Sequence, residues 1–291
     1  MKAIIFGING QDGYYLAEVC RHHNIEVIGV SRSSGNWTQG NIADKDFVRD
    51  LIRDKQPEYI FHLAAASTTR HHALYENHDA IATGSINVLE AVKDFVPHCR
   101  VFITGSGVQF VNNLKPIKET DPFAASSPYS IARIYSVYAA RYYRKLGIKT
   151  YVGYLFHHES PMRKGDHLSK IITTAVKEIA EGKRNQLTIG DVTVRKEWAY
   201  AGDIAEGIFA LVNQEEITEA NISTGIDYSV EDWLRECFTY KGLHWKDHVV
   251  SPEDGFKPEY PLLISDNSRM LSIGWKPKTD FKQLVAIMME N

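Results

Sequence analysis

A tyrosine and an arginine stand four residues apart in the segment Ser127-Pro-Tyr129-Ser-Ile-Ala-Arg133. Ser127 suits a helix cap and Pro128 suits the first helical position, which predicts that Tyr129 and Arg133 share one face of a helix. A permanent cation one turn away stabilises the phenolate form of a tyrosine. A phenol held in this way can exchange a proton with a substrate hydroxyl while a hydride moves. The same two residue types also occur together on ordinary helices, so this interpretation needs a cofactor site beside them.

Such a cofactor site is indicated by three glycines near the N-terminus, Gly7, Gly10 and Gly13, which follow an apolar strand pattern. Gly7 permits a tight turn, Gly10 lets a phosphate approach the backbone, and Gly13 lets the next helix pack closely on the strand. The helix pattern begins at Tyr14. The spacing differs from G-x-G-x-x-G, but the strand–helix context favours dinucleotide binding over a plain turn. The residues predicted to hold the pyrophosphate are Gly7, Asn9, Gly10, Gln11, Asp12 and Gly13.

The end of the second predicted strand indicates which dinucleotide binds. NAD enzymes place an acidic residue there for the ribose 2′-hydroxyl, whereas this chain has Ser31 and Arg32. A hydroxyl and a guanidinium suit a 2′-phosphate, so NADP(H) is favoured. NAD(H) stays the less favoured alternative, which applies if Arg32 merely points to solvent. The other residues predicted to line the cofactor site are Asn41, Ile42, Leu63, Ala64 and Ala65, together with Tyr129 and Arg133.

Strand and helix patterns alternate through the first half of the chain, and these elements must position the residues above. The predicted strands span residues 3–8, 26–30, 59–63, 100–104 and 150–156. The predicted helices between them span residues 14–23, 44–55, 80–95 and 128–146. Alternation of this kind predicts an α/β fold with a Rossmann-type, doubly wound parallel sheet. The ligand crevice of such a sheet lies at the carboxyl ends of its strands.

The pattern changes after residue 156, where strands shorten and prolines become frequent. Helices are still predicted over residues 168–181, 203–213, 229–238 and 280–290. We therefore predict a dinucleotide-binding domain over residues 1–156 and a smaller substrate lobe over residues 157–291, interleaved with the last strands of the sheet.

Two polar segments lie where a substrate would meet the cofactor. Thr104-Gly-Ser106 ends a predicted parallel strand, so the Ser106 hydroxyl is expected to point into the crevice. Residues 156–163, which read F-H-H-E-S-P-M-R, follow another predicted strand and would form a lip over the crevice. Taken alone, a turn serine and a surface loop explain these two segments equally well.

Composition excludes several classes of function. The chain has 291 residues, 44% of them apolar, and its 33 Lys and Arg against 36 Asp and Glu give a net charge of −3. The sequence shows no basic run for a nucleic acid and no apolar stretch of the roughly 20 residues that a membrane span needs. Three scattered cysteines and twelve histidines without zinc-type spacing predict reduced thiols, no metal site and a cytoplasmic location.

Several segments spread along the chain match the motifs of one protein family. The opening reads G-x-x-G-Q-D-G, the lip is similar to F-N-H-E-S-P-R-R, and residues 195–198 read R-K-E-W against K-R-D-W. Residues 257–259 are similar to part of an R-P-x-E motif, and residues 265–279 are similar to the family's C-terminal segment. The chain thereby resembles the extended short-chain dehydrogenase/reductase family, in its nucleotide-sugar branch. Within that branch it resembles the GDP-mannose 4,6-dehydratase family.

This resemblance implies a nucleotide-sugar substrate, with GDP as the nucleotide, and a nicotinamide cofactor. It implies catalytic roles for Tyr129, Arg133 and Ser106. The residues that it implies in substrate binding are Ser106, Gly107, Val108, His157, Glu159, Lys170, Arg195, Lys257 and Glu259. It also implies a homodimer formed through the Tyr129 helix, and the residues expected to supply aromatic area there are Tyr138, Tyr142 and Tyr143.

Two departures from the family pattern bear on the reaction. The family's T-S-E triplet, whose glutamate removes the C5 proton in the dehydratase, aligns with Ser106, Gly107 and Val108, and valine cannot accept a proton. Arg133 replaces the lysine of Y-x-x-x-K, which keeps the charge but changes its geometry. The sequence therefore favours hydride transfer at C4, as in a 4-ketoreductase, 4-dehydrogenase or 4-epimerase. Two alternatives stay open: a 4,6-dehydratase using His157 or Glu159 as an atypical base, and a catalytically silent nucleotide-binding relative.

Overall fold

The computed structural model describes residues 1–163, 165, 167–252 and 260–291, and a parallel sheet forms the centre of this part of the chain. The strands of this sheet are β1 (Lys2–Phe6), β2 (Glu26–Ser31), β3 (Thr38–Gln39), β4 (Tyr59–His62), β5 (Arg100–Ser106), β6 (Thr150–Leu155) and β11 (Glu219–Ile222). Their order is β11-β6-β5-β4-β1-β2-β3, and all neighbours are parallel. The order reverses between β1 and β4, so the sheet is doubly wound and the predicted fold class is confirmed.

Helices cover both faces of this sheet. On one face lie α1 (Gln11–His22) and α7 (Ala201–Val212); on the other lie α2 (Lys45–Lys55), α4 (Gly84–Phe95) and α5 (Pro128–Lys145). Successive residues of a strand point to opposite faces. Ala3 and Ile5 of β1 accordingly pack in a first core, on the face covered by α1 and α7. Ile4 and Phe6 pack in a second core, on the face covered by α2, α4 and α5.

The second half of the chain adds a smaller lobe built from short strands. In this lobe β7 (His158–Glu159) pairs with β10 (Ala199–Tyr200), β9 (Arg195–Glu197) lies between β12 (Asp227–Ser229) and β14 (Leu262–Leu263), and β8 (Leu187–Thr188) pairs with β13 (Val249–Val250). The helices α6 (Leu168–Ala180), α8 (Val230–Tyr240) and α10 (Phe281–Glu290) enclose a third core, and α9 (Ser268–Ser272) contacts β11. In the third core Trp198 and Trp233 stack with ring centres 4.4 Å apart. The lobe is interleaved with the main sheet, since α7 and β11 return to it; the boundary at residue 156 stays a prediction.

Several element boundaries differ from the sequence prediction by one or more residues, and three of these differences are informative. The first strand ends at Phe6 rather than at residue 8, because Gly7 turns the chain with a φ of 93°. The helix after it begins at Gln11, one turn before the predicted start at Tyr14. The helix predicted from residue 80 also begins earlier, because α3 (Leu74–Asn77) continues through a π-helical turn, His78–Thr83, into α4. This turn repeats no simple hydrophobic period, so the pattern did not reveal it.

The start of α5 follows its predicted capping. The Ser127 Oγ accepts a hydrogen bond from the Ser130 N–H at 3.1 Å, and Pro128 occupies the first helical position. In the described part of the chain, none of the helices combines the length and apolar character that crossing a membrane requires. Within the same residues, no three His, Cys, Asp or Glu side chains group as metal ligands.

Candidate active site

The turn after β1 is shaped by steric requirements at two glycines. A Cβ on Gly7 would lie 2.9 Å from the Ala64 nitrogen, and one on Gly13 would lie 2.3 Å from the Gly7 oxygen. Gly10 precedes α1, and no side chain of the described residues caps the helix there. The first N–H groups of α1 therefore stay available to an anion such as a phosphate.

This turn opens into a cleft of about 820 Å³ at the carboxyl ends of β1, β2 and β4. Every residue predicted to bind the cofactor lines the cleft, except Tyr129 and Arg133. The lining residues that were predicted are Gly7, Asn9, Gly10, Gln11, Asp12, Gly13, Ser31, Arg32, Asn41, Ile42, Leu63, Ala64 and Ala65. The cleft thus lies where the strand order reverses, which is where doubly wound sheets bind dinucleotides.

Tyr129 and Arg133 take the predicted arrangement on α5, at the same edge of the sheet. The Arg133 Cζ lies 5.0 Å from the centre of the Tyr129 ring, so a cation stands against the phenol. Arg133 is 3% exposed, and its Nη1 donates to the carbonyl oxygen of Thr104 in β5 at 2.7 Å. Burial and the Arg133 charge lower the pKa of His62, at the end of β4, to about 3. The buried charge at this edge is therefore carried by Arg133 and not by the histidine.

The turn after β5 is fixed by a reciprocal pair of hydrogen bonds. The Gln109 side chain accepts from the Ser106 N–H at 2.8 Å, and the Ser106 Oγ accepts from the Gln109 backbone. Gly107 is buried here. It packs so closely on Phe156 that a Cβ at this position would lie 2.7 Å from the Phe156 ring. Ser106 and Val108 are each partly buried. The turn therefore presents a hydroxyl at Ser106 and only methyl groups at Val108.

The lip buries a carboxylate, and one of its two oxygens accepts two hydrogen bonds. Glu159 in β7 is 0% exposed, and its Oε2 accepts from the Arg163 Nε at 2.9 Å and from the Ser169 Oγ at 2.6 Å. The His157 Nε2 lies 2.6 Å from the other carboxylate oxygen. Burial alone would raise the pKa of Glu159, but His157 and Arg163 hold it well below its usual range. Burial, together with the Lys196 charge, lowers the pKa of His157 to about 3.

His158 connects this lip to the glycine turn. Its Nδ1 lies 2.7 Å from the Phe156 carbonyl oxygen, and its Nε2 lies 2.7 Å from the Asp12 carboxylate. Both partners can only accept, so each ring nitrogen carries a proton and the imidazole is cationic. The Ser160 Oγ also donates to the Gln11 Oε1 at 2.7 Å. We call the four side chains Gln11, Asp12, His158 and Ser160 the turn–lip network.

Comparison with known proteins identifies the family. A sequence model of the family described as GDP-mannose 4,6 dehydratase matches residues 4–288. The chain belongs to this family. GDP-mannose 4,6 dehydratase 1 of Arabidopsis thaliana is 31% identical to it over 319 residues, which cover 99% of this chain and 88% of the plant protein. The GDP-mannose 4,6-dehydratase of Vibrio cholerae is 28% identical, with 99% of this chain and 92% of the relative covered.

Two solved structures share the fold of this GDP-mannose 4,6-dehydratase family member. UDP-glucose 4-epimerase from Thermotoga maritima superposes with a TM-score of 0.88 at 20% identity, covering 100% of this chain and 98% of the other. RMD from Pseudomonas aeruginosa, complexed with NADPH, superposes with a TM-score of 0.87 at 16% identity, covering 99% and 96%. At these identities the likeness shows the fold alone, which is that of the extended short-chain dehydrogenase/reductases.

The family's K-R-D-W motif corresponds to Arg195, Lys196, Glu197 and Trp198, and the second basic residue, not the first, faces the lip. Arg195 was expected in the substrate site, but its half-exposed guanidinium pairs with Asp227 instead. The Lys196 Nζ lies 4.5 Å from the centre of the Trp198 ring, which meets the His157 ring edge to face. Burial lowers the pKa of Lys196 to about 8. Successive residues of a strand point to opposite faces, so Arg195 and Lys196 cannot both face the lip. The sequence alone could therefore have indicated that one of the two points away from it.

The remaining residues implied in substrate binding divide into two groups. Lys170 on α6 lies at the lip, where its Nζ donates to the Pro161 carbonyl oxygen at 3.4 Å. Lys257 and Glu259 lie outside the described residues.

Replacing Asp12 with asparagine is expected to lower the free energy of unfolding by about 2 kcal/mol between pH 3.8 and 6.5, and by less outside this window. Burial alone would raise the pKa of Asp12, but His158 and Arg163 lower it to about 2. Burial alone would lower the pKa of His158, but Asp12 raises it above its usual value. The stabilisation is lost as the pH falls through about 2, where the carboxylate protonates, and as the pH rises through the raised pKa of His158, where the imidazolium deprotonates.

Urea unfolding of the wild type and D12N across this pH range measures the difference. Asp46→Asn is the control, because the Asp46 side chain is exposed and pairs only with Arg49 on the surface of α2. A D12N difference that stays constant into alkaline solution would contradict a charged His158.

Proposed function

We propose that the protein transfers a hydride between a nicotinamide cofactor and C4 of a nucleotide-activated sugar, as a 4-ketoreductase, 4-dehydrogenase or 4-epimerase. This proposal depends on which residues lie at the edge of the sheet beside the cleft. Tyr129, Arg133 and Ser106 are all present there, whereas Val108 stands where the dehydratase pattern has glutamate. Oxidation or reduction at C4 needs proton exchange with one hydroxyl, which a phenol can perform. Loss of water needs a further base at C5, which valine cannot supply.

A 4,6-dehydratase with an atypical base is the second candidate, because the named relatives are GDP-mannose 4,6-dehydratases. His157 and Glu159 were the residues considered for that base. The Glu159 carboxylate is fully buried and already binds Arg163 and Ser169. The pKa of about 3 makes His157 a poor proton acceptor at neutral pH. The lip therefore supports the redox proposal over elimination.

The proposed cofactor is NADP(H), with NAD(H) as the alternative. Ser31 and Arg32 line the outer end of the cleft, and a guanidinium with a hydroxyl suits a 2′-phosphate. Solved neighbours bind either dinucleotide, since RMD was determined with NADPH and the UDP-glucose 4-epimerase of Thermus thermophilus with NAD. GDP is the proposed nucleotide of the substrate, because the relatives are named as GDP-mannose 4,6-dehydratases.

Incubating the protein with a panel of GDP-sugars, with oxidised or reduced cofactor, tests the proposed reaction. Nicotinamide fluorescence reports net hydride transfer, mass spectrometry reports the mass of the sugar product, and NMR of the sugar distinguishes a C4 epimer, which has the same mass as the substrate. A gain or loss of two hydrogens, or a C4 epimer with no net cofactor change, is the expected result. Loss of one water would establish the dehydratase instead. Cofactor binding with no turnover of any sugar would indicate a catalytically silent relative.

Replacing Val108 with glutamate is expected to introduce or raise loss of water from a GDP-hexose by at least about tenfold, because a carboxylate then stands at the position of the family's base. The product is followed as a mass lower by one water. Val108→Gln is the matched control, since it has nearly the same size and no basic oxygen. Equal elimination by V108E and V108Q, or unchanged elimination in V108E, would contradict the assignment of Val108 to the base position.

We also propose that the partner is a second copy of the chain, bound through α5. Four large side chains of this helix are about half exposed, which is unusual for apolar and aromatic groups: Ile131, Tyr135, Tyr138 and Tyr142. Tyr143 was expected in the same surface but is buried, and its hydroxyl donates to Glu90. The proposed interface therefore uses the outer face of α5 without Tyr143.

A further inference from the structure

A glutamate that the sequence analysis did not single out forms an ion pair with Arg32, which lines the cofactor cleft. Glu76 belongs to the short helix α3, and its Oε1 lies 2.6 Å from the Nη2 of Arg32. Arg32 directly follows β2 and lines the cleft. The two side chains are 44 residues apart in sequence, so no local pattern predicts their contact.

The position of Glu76 is fixed by the backbone beneath it. Asn77, the next residue, is buried, and its Nδ2 donates to the Thr68 carbonyl oxygen at 2.8 Å. Thr68 and Arg70 both line the cleft. This contact ties α3 to a segment of the cleft lining and so places Glu76 within reach of Arg32.

The polar groups around Arg32 match a ribose that carries a charged or neutral 2′ substituent. The Asn9 Nδ2 donates to the Ser33 Oγ at 3.1 Å, and the Ser31 and Ser33 hydroxyls lie 3.2 Å apart. In dinucleotide-binding sheets, the end of the second strand is where the ribose 2′ position is recognised. An acidic group there accepts from a 2′-hydroxyl, and an arginine binds a 2′-phosphate. This chain has both groups, and they neutralise each other.

We propose that Glu76 sets the choice between NADP(H) and NAD(H) by competing with the 2′-phosphate for Arg32. This inference rests on the proposed function, because it assumes that the cleft binds a nicotinamide dinucleotide. A 2′-phosphate carries about −1.5 to −2 charges at neutral pH, so to bind Arg32 it must displace the Glu76 carboxylate from the guanidinium. A 2′-hydroxyl carries no charge and leaves the Arg32–Glu76 pair intact. Glu76 therefore weakens the preference for NADP(H) that Arg32 alone would give.

The size of this effect follows from the exposure of the pair. The Arg32 and Glu76 side chains are 58% and 48% exposed, so water screens their attraction and the pair opens readily. Glu76 is thus expected to reduce NADP(H) affinity without abolishing it. We expect a change in dissociation constant of about fivefold, which is the upper end for an exposed ion pair.

Fluorescence titration of Glu76→Gln with NADPH and with NADH tests the proposal. The dissociation constant for NADPH is expected to fall about fivefold, while that for NADH stays the same or rises. The fragments 2′,5′-ADP and 5′-AMP, titrated calorimetrically, should show the same divergence, which restricts the effect to the 2′ position. Glu18→Gln is the matched control, because Glu18 also pairs with an exposed arginine, but that arginine, Arg21, does not line the cleft.

Arg32→Gln and the double variant complete the experiment. R32Q is expected to weaken NADPH binding, and adding E76Q should then have little further effect on it, because Glu76 acts through Arg32. Equal changes for both dinucleotides in E76Q, or no change for either, would overturn the role of Glu76. Failure of the wild type to bind any nicotinamide dinucleotide would instead overturn the proposed function. The two failures are therefore distinguishable.

Discussion

Replacing Tyr129 with phenylalanine is expected to lower kcat for C4 oxidation or reduction by about 100- to 10,000-fold, because the reaction loses its proton donor and acceptor. The ring itself stays, and with it the stacking of Arg133 at 5.0 Å. KM and the dissociation constant of the cofactor should therefore change little. Steady-state kinetics on the sugar identified in the panel, with a separate cofactor titration, measures both effects. The pH dependence of kcat should also flatten in the variant.

Tyr240→Phe is the matched control for this variant. Tyr240 ends α8, is 42% exposed and donates to Glu290 at the surface. Its loss of a hydroxyl should leave kcat unchanged. Retention of full activity by Y129F would remove the phenol from the mechanism and favour another proton carrier, such as a bound water held by Ser106.

Replacing Glu197 with alanine is expected to lower the free energy of unfolding by about 3–5 kcal/mol, which is the largest stability effect that we predict. Glu197 in β9 is 0% exposed. Its Oε1 accepts from the N–H and the hydroxyl of Ser265, each at 2.6 Å. Its Oε2 accepts from the N–H of Thr224 at 2.7 Å, the Thr224 hydroxyl at 2.9 Å and the Gly225 N–H at 2.9 Å. The variant removes the acceptor of three backbone N–H groups and two hydroxyls, and the hydroxyls keep other partners in Ile226 and Ser223.

Urea unfolding at neutral pH measures this loss, and two variants frame it. Glu197→Asp, which restores the acid of the family's K-R-D-W motif, should cost less because a carboxylate remains near the donors. Glu216→Ala should change the free energy of unfolding by less than about 0.5 kcal/mol, since Glu216 is exposed. A loss under about 1 kcal/mol in E197A would mean that water replaces the carboxylate.

The parallel sheet could be predicted because its strands are buried on both faces and separated by helical patterns. β1, β2, β4, β5 and β6 all appear as apolar runs, and each is followed by a readable helix. The helix before α4 could not be predicted in the same way. Residues 74–79, before the predicted start at residue 80, are mostly polar or charged and lead into the π-helical turn, so their hydrophobic spacing fits no single helical period.

The cleft could be predicted because the carboxyl ends of neighbouring parallel strands must meet. Gly7 directly follows β1, Ser31 is the last residue of β2, and Leu63 directly follows β4. The topology of the sheet alone therefore brings these three residues together in the cleft. Arg70 and His72 also line the cleft, but they lie in a segment without a periodic pattern. The burial of Glu159 could not be predicted either, because it depends on tertiary contacts with Arg163 and Ser169.

The turn–lip network has a consequence for reading variants of this protein. It joins Asp12 to His158, 146 residues further along the chain, so we expect the proposed cofactor turn and the proposed sugar-binding lip to be thermodynamically coupled. A substitution in the lip can then weaken dinucleotide affinity without touching the dinucleotide, and a bound dinucleotide can tighten sugar affinity in return. Affinities measured for either ligand alone therefore describe half of a linked equilibrium, and a thermodynamic cycle with both ligands is needed to assign a residue to one of them.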